Sequence, residues 1–337
     1  MSIPFSILDL AQVLEGQTAA ESFAGSVKLA QKAEALAYNR VWYAEHHNIP
    51  GVASSATSVL IAHIAAHTKK IRLGSGGVML PNHAPLLIAE QFGTLATLHP
   101  GRIDLGLGRA PGGDIGVIRA MRKDYEQAAN SFPKDVEELI HFLSTPEHGQ
   151  ALGVRAIPGE GTEVPVWILG SSLFGAQLAA KLGLPYAFAS HFAPSHLLQA
   201  AAIYRRDFKP SRHLDKPYFM MACNVFAADT EEEAQFHFST LIQAFVGILT
   251  NRRGLTKRPV EGYQVPAHVA AQVDMMLQIS AVGTADTVAE KLSFFCEHVR
   301  PDEIIIAKNF YDQDARLRSL EVTMDAKERL QSLKLAS

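Results

Sequence analysis

Cysteine is scarce in this chain of 337 residues, which contains only Cys223 and Cys296. Two thiols so distant in sequence do not make the disulfide framework of a small secreted protein, and a reducing compartment fits them. The first ten residues have no basic segment and include Pro4 and Asp9, unlike a secretory signal. No uninterrupted apolar run reaches the roughly 18 residues that a membrane span needs. We therefore predict a soluble cytoplasmic protein.

An excess of charge of either sign is also missing. The chain has 31 Lys and Arg against 34 Asp and Glu, a formal net charge of −3. This balance favours neither a nucleic acid nor an anionic membrane as a partner. No Glu-x-x-His or Cys-x-x-Cys spacing indicates a metal site, and we predict none. No Gly-x-Gly-x-x-Gly follows the first apolar run, which counts against a dinucleotide-binding fold.

Short apolar runs alternate with longer amphipathic segments along the chain. We predict eight strands, at residues 5–10, 41–44, 71–78, 102–106, 164–169, 186–189, 218–227 and 303–307. Strands that alternate with helices form parallel sheets, and eight of them in a chain of this length favour a closed (β/α)8 barrel over a doubly wound sheet. We predict one α/β domain over residues 1–337. Residues 109–130 interrupt the pattern as a polar, glycine-bearing segment. Residues 250–275 form an irregular excursion, a candidate lid or substrate loop.

The second predicted strand runs directly into Glu45, His46 and His47. Active sites of (β/α)8 barrels lie at the carboxyl ends of the strands, and an imidazole titrates near neutral pH, which suits proton transfer. The structural alternative is a pair of histidines that caps a loop. Adjacent side chains of an extended segment point to opposite faces, so the two imidazoles do not easily share one ion. Glu45 is a secondary candidate.

Glycines fill the end of the third predicted strand, from Gly74 to Gly77, with Ser75 between them. Glycine weakens a strand unless another backbone or a ligand must come close. One interpretation is a flat flavin ring that lies against bare backbone. The other is a bulge at a crowded corner of the barrel. The residues alone leave both open.

Three further strand ends carry polar residues. Arg109 could bind a phosphate or the edge of a ring, or could be a surface arginine. Gly170, Ser171 and Ser172 precede a helix, where free backbone N–H groups attract anions, although an ordinary helix cap has the same residues. His191 follows the sixth strand, and a site histidine and a structural one are equally compatible with that position.

Five segments together resemble the luciferase-like monooxygenases, the flavin-dependent barrel family that includes bacterial luciferase, and its bacterial group-one members in particular. They are residues 42–47, 74–81, 101–109, 165–172 and 282–284, in the order of the family. The resemblance implies a homodimeric barrel enzyme. It implies reduced FMN, supplied by a separate flavin reductase, and molecular oxygen, of which one atom passes to a substrate.

The resemblance also implies roles for single residues. His46 matches the catalytic histidine, and Gly76-Gly77 matches a non-proline cis peptide beside the flavin ring. We predict His46 as catalytic and the following as cofactor-binding: Gly76, Gly77, Arg109, Gly170, Ser171, Ser172 and His191. The chain departs from luciferase at Gly108, where the luciferase α-subunit has a reactive cysteine, and at the phosphate turn, where it has an acidic residue. We therefore predict neither light emission nor an aldehyde substrate for this chain from the resemblance.

Two other functions fit the same residues. One is a dehydrogenase or reductase that uses a deazaflavin or FMN without oxygenation, because deazaflavin enzymes share this fold. The other is a flavin-binding protein without turnover, which needs the phosphate turn but no catalytic imidazole.

Overall fold

The computed structural model describes residues 3–121, 124–147 and 153–336, in which strands and helices alternate from end to end. The strands are β1 (Phe5–Asp9), β2 (Arg40–Tyr43), β3 (Arg72–Met79), β4 (Ile103–Gly108), β5 (Val166–Gly170), β6 (Tyr186–Phe188), β7 (Phe219–Ala227), β8 (Ser280–Gly283) and β9 (Glu303–Ala307). The helices are α1 (Ala19–Ala35), α2 (Thr57–Ala66), α3 (Pro85–Leu98), α4 (Ile115–Ala120), α5 (Tyr125–Leu143), α6 (Leu173–Leu182), α7 (Leu197–Asp207), α8 (Glu231–Leu249), α9 (Ala267–Met276), α10 (Ala285–Val299) and α11 (Gln313–Ala336).

Eight parallel strands close into a barrel. Strands β1 to β7 pair in chain order around the ring, and β9 closes it between β7 and β1. These are the eight strands predicted from the apolar runs, so the (β/α)8 barrel is confirmed. All strands of the ring therefore point their carboxyl ends to one mouth, which the connecting loops surround.

A ninth strand, β8, lies outside the ring. The sequence pattern predicted no strand there, and in this respect the prediction was wrong. The last part of β7, from Asn224 to Ala227, pairs with β8, whereas the first part pairs with β9. Strand β8 has only four residues, of which Ser280 and Val282 are partly exposed. So short a run, with little apolar content, gives no clear strand signal.

Residues 109–130 contain helices, contrary to the predicted interruption. Helix α4 begins after Asp114, whose carboxylate accepts a hydrogen bond of 3.1 Å from the Val117 amide. Helix α5 begins after Asp124, which accepts one of 3.1 Å from the Gln127 amide. An aspartate immediately before a helix accepts a hydrogen bond from a free N–H group of the first turn. These aspartates mark the starts of the two helices, which the spacing of apolar residues did not indicate.

The excursion is irregular only over residues 250–266, because residues 267–276 form α9. Two backbone hydrogen bonds of 2.9 Å join Thr256 to Val13 and Glu15, in the loop that follows β1. Val269 and Val273 of α9 are buried in an apolar cluster under this segment. The predicted end of the excursion at residue 275 was thus wrong, and the segment lies against a loop of the barrel mouth.

Charged and aromatic side chains fill the opposite end of the barrel interior. The buried guanidinium of Arg40 pairs with Asp104 at 2.7 Å and with Glu303 at 2.9 Å. Trp42 and Trp167 pack edge to face above it, with ring centroids 5.1 Å apart. These side chains therefore occupy the end of the interior that lies away from the mouth. Within the described ranges, none of the helices is both long and apolar enough to cross a bilayer.

Candidate active site

Glu45 is a buried carboxylate that joins the loops after β2 and β3. It accepts hydrogen bonds from the Met79 amide at 3.0 Å, from the side-chain amide of Asn82 at 3.0 Å, and from the imidazoles of His83 at 2.9 Å and His47 at 2.8 Å. Burial opposes its ionised form, but these donors outweigh burial and hold the pKa of Glu45 below its usual range. Glu45 therefore acts as an ionised anchor of the mouth.

Asn82 and His83 take part in this cluster, and the sequence did not single them out. Both follow the last glycine of β3 by a few residues, in a short 3₁₀ helix at residues 80–82 and at its end. Their position after a barrel strand could have identified them as site residues, as it did for the residues after β2.

The two adjacent histidines have different surroundings, as the alternation of side chains predicts. His47 is bound to Glu45, whereas Nδ1 of His46 is buried and has no hydrogen-bond partner among the described residues. Burial lowers the pKa of His46 by more than the nearby Ala44 carbonyl raises it, so its imidazole is neutral near pH 7. Buried polar atoms are almost always satisfied, and a bare Nδ1 at a barrel mouth indicates a place for a ligand.

His191 repeats this arrangement after β6. Its Nδ1 is also buried without a hydrogen-bond partner in the described part of the chain. Burial, assisted by the charge of nearby His46, lowers the pKa of His191 to about 4. Asn224 donates a hydrogen bond of 2.7 Å to the His191 carbonyl and holds its backbone. The fold thus places two neutral imidazoles at one mouth, from strands on different sides of the ring.

The peptide bond between Gly76 and Gly77 is cis, as the resemblance implies. The pairing of β3 with β4 shifts register between Gly76 and Val78. A Cβ at Gly77 would lie 2.4 Å from the Leu169 side chain and 2.7 Å from the Gly106 carbonyl. Packing within the protein therefore accounts for glycine here, which supports the crowded bulge. Contact with a flavin ring stays a prediction.

Backbone and side-chain hydrogen bonds tie three mouth loops together. The Glu45 amide donates to the Gly77 carbonyl at 3.0 Å, and the His47 amide donates to the Gly112 carbonyl at 2.9 Å. Asn82 donates to the Pro111 carbonyl at 2.9 Å. The residues after β2, β3 and β4 are therefore one connected unit, with His46 on it.

Arg109 lies beside the predicted phosphate turn. Its guanidinium stacks over the ring of Phe174, 3.9 Å from the centroid, and Phe174 is the second residue of α6. Ser172 occupies the position before α6, but its hydroxyl makes no capping hydrogen bond. The ordinary cap expected as the alternative is therefore absent there. The N–H groups of the first turn, the hydroxyls of Ser171 and Ser172, and a cation are close together, which is the donor set that a phosphate needs.

The residues present fit a flavin mononucleotide. The first turn of α6 with Arg109 suits its phosphate, and the bare Nδ1 atoms of His46 and His191 suit polar atoms of its ring or of a second ligand. In the described ranges, no three His, Cys, Asp or Glu side chains are grouped to hold a metal ion.

The comparisons with known proteins agree with this geometry. The sequence profile of the luciferase-like monooxygenases matches residues 3–297. An Escherichia coli K12 protein named luciferase-like monooxygenase is 49% identical over 331 residues, 98% of each chain. The N-acetyl-S-alkylcysteine monooxygenase of Bacillus subtilis is 34% identical over 96% of this chain and 98% of its own.

Solved structures share the fold over nearly the whole chain. Apo-MsnO8 superimposes with a TM-score of 0.85 at 33% identity, over 97% of this chain and 98% of its own. The oxygenating component of 3,6-diketocamphane monooxygenase from Pseudomonas putida, in complex with FMN, gives 0.70 at 17% identity, over 98% of both chains. The coenzyme F420-dependent tetrahydromethanopterin reductase of Methanopyrus kandleri gives 0.67 at 15% identity, over 95% and 97%. Neighbours of this fold thus use FMN or F420.

Proposed function

Because the chain belongs to the luciferase-like monooxygenase family, we propose that it is a monooxygenase that uses reduced FMN and molecular oxygen on a small organic substrate. The observation that carries the proposal is the pair of neutral imidazoles, His46 and His191, whose Nδ1 atoms are buried and make no hydrogen bond with the described residues, at the same mouth as the phosphate-type cradle of α6.

Phosphate binding is the role of the α6 turn. The backbone N–H groups after Gly170, with Ser171 and Ser172, would donate hydrogen bonds to the phosphate, and Arg109 would add a positive charge. Phe174 holds the guanidinium in place by stacking on it. The backbone of Gly76 and Gly77 would support one face of the ring.

His46 would serve the oxygen chemistry. Reduced FMN supplies the two electrons with which dioxygen is divided into one atom for the substrate and one that leaves as water. A neutral imidazole both donates and accepts a proton, so His46 can hold or move a proton at the unpartnered Nδ1. His191 would contact the cofactor or substrate from the opposite side. Glu45 would position His46 through the loops that it joins.

We further propose a flavin reductase as a transient partner, a homodimer as the assembly and the cytoplasm as the location. The N-acetyl-S-alkylcysteine monooxygenase relative makes S-alkylated, N-acetylated cysteines the first substrates to test. A dehydrogenase that uses F420 is the second candidate, and the fold likeness to the F420-dependent reductase supports it at the level of the fold alone.

The test is reconstitution with chemically reduced FMN in buffer equilibrated with oxygen-18 gas, with mass spectrometry of a panel of thioethers. We expect products that carry one labelled oxygen, and a rate at least about 100-fold lower for His46→Ala, in the range of lost acid–base catalysis. The exposed His196, replaced by alanine, is the matched control. A product without label would favour the dehydrogenase. An activity that His46→Ala leaves unchanged would contradict the assigned role.

A further inference from the structure

The segment of residues 250–266 carries four basic residues and one acidic residue, Glu261. Arg258 is engaged, since its guanidinium stacks on Tyr311 with 5.4 Å to the ring centroid. Arg252 and Arg253 are exposed, and neither side chain makes an ion pair or a hydrogen bond with the residues described. Arg253 also helps to lower the pKa of the Asp114 carboxylate, which offsets part of its charge. With two guanidinium groups against one nearby carboxylate, a net positive potential remains beside the active-site mouth.

The backbone fixes where this charge lies. The Gly254 carbonyl packs against Gly51, where a Cβ would come within 2.2 Å of it, and Thr256 forms backbone hydrogen bonds with the loop after β1. Arg253 is therefore held beside the loops that follow β1 and β2. Its charge reaches His46, whose pKa is lowered mainly by burial and also by Arg253.

The cofactor cradle is elsewhere on the ring. Arg109 and the α6 turn follow β4 and β5, whereas Arg253 borders β1 and β2, and β5 is three strands from β2. Phe192, next to His191, leaves 41% of its surface exposed. The mouth thus offers a second cation and an aromatic face beside the neutral imidazoles.

On the basis of the function proposed above, we infer that Arg253 recognises an anionic group of the substrate, and that the substrate class is a small organic carboxylate with an apolar portion. The guanidinium binds a carboxylate through two parallel hydrogen bonds, which fixes both position and orientation. The carboxylate would lie at Arg253 and the apolar portion would reach toward His46 and Phe192. Arg252 would raise the local potential.

Matched acid and amide pairs test the inference by binding alone. The probes are (benzylthio)acetate with its primary amide and 3-phenylpropionate with its primary amide, measured by equilibrium dialysis against the full chain at low, fixed ionic strength. We expect at least one acid to bind about tenfold more tightly than its amide, and Arg253→Gln to abolish that preference. Lys257→Gln, on the same segment, should retain it.

Three results would overturn the inference: no binding of either acid, equal binding of acids and amides, or a preference that survives Arg253→Gln. The phosphate of FMN is the other anion that Arg253 could meet, so the affinity for FMN is measured in the same variants. We expect it to be unchanged in Arg253→Gln, and a tenfold loss there would assign the arginine to the cofactor instead.

The same preparations separate this inference from the proposed function. An acid that binds through Arg253 without oxygen-18 incorporation would contradict the monooxygenase and leave the anion site standing. Labelled products formed equally well from acid and amide, with no effect of Arg253→Gln, would support the monooxygenase and contradict the anion site.

Discussion

The backbone amide of Glu45 donates a hydrogen bond of 3.0 Å to the carbonyl oxygen of Gly77, so the end of β2 is fastened to the glycine-rich end of β3. The Glu45 carboxylate then accepts from the Met79 amide two residues further along. Glu45 therefore holds the end of β3, where the glycines predicted to support the flavin ring lie. His46 is the next residue in the chain.

Replacement of Glu45 should loosen this unit. In Glu45→Gln, the new amide group faces donors from Asn82 and His83 that need an acceptor, so at least one partly buried donor loses its partner. We expect the free energy of unfolding to fall by about 2–4 kcal/mol, as for a disrupted buried charged cluster. Urea unfolding measures it. Asp207→Asn removes an exposed ion pair with Arg206 and should leave the free energy of unfolding nearly unchanged. Equal effects of the two changes would argue against Glu45 as the anchor.

A side chain at Gly77 should be costly for steric reasons. The new Cβ would lie 2.4 Å from Leu169 and 2.7 Å from the Gly106 carbonyl, and a backbone atom cannot turn aside. We expect Gly77→Ala to lower the free energy of unfolding by about 1–3 kcal/mol, the cost of overpacking. Gly254→Ala is the control, since no heavy atom of the described residues lies within 4 Å of its added Cβ. A Gly77→Ala variant as stable as that control would refute the packing argument.

Acid should destabilise the protein in part through His191. Above the ordinary histidine pKa of 6.5, this imidazole is neutral in both the folded and the unfolded chain. Between pH 6.5 and about 4 the unfolded chain binds a proton there that the folded chain excludes, so the free energy of unfolding falls as the pH falls. Over this window we expect the wild type to lose about 2–4 kcal/mol more than His191→Asn, at about 1.4 kcal/mol per pKa unit. His196→Asn, at an exposed histidine, should follow the wild type. Identical pH profiles for all three proteins would show that His191 is not buried in its neutral form.

Loss of the Arg109 charge should weaken the binding of the cofactor. Arg109 stacks beside the first turn of α6, where the phosphate is proposed to bind. We expect Arg109→Gln to raise the dissociation constant of reduced FMN about tenfold or more, since a charged hydrogen bond contributes about 1.5–3 kcal/mol. Anaerobic fluorescence titration measures it, with Arg206→Gln on α7 as the control. Unchanged affinity for FMN in Arg109→Gln would place the phosphate elsewhere.

The sequence predicts the barrel well because strands that are buried on both faces appear as apolar runs, and amphipathic segments separate the eight runs. It did not reveal β8, since Ser280–Gly283 is short and partly exposed. It also missed α4, whose start is marked by the Asp114 cap and not by apolar spacing.

The candidate site is predictable to a similar degree. Polar residues at strand ends pointed to Glu45, His46, Arg109 and His191, because barrel topology gathers such positions at one mouth. The hydrogen-bond partners of Glu45 could not be deduced from the sequence. His83, for example, reaches Glu45 because of a turn whose geometry residue spacing does not predict. The place of Arg253 depends in the same way on the backbone pairing of Thr256 with the loop after β1.

An anaerobic titration of the protein with reduced FMN, oxidised FMN and reduced F420 tests the central claim most directly. If the mouth is the site of a monooxygenase supplied by a separate reductase, reduced FMN will bind with a 1:1 stoichiometry and more tightly than the other two. Failure of both forms of FMN to bind would contradict the account, and so would a clear preference for F420.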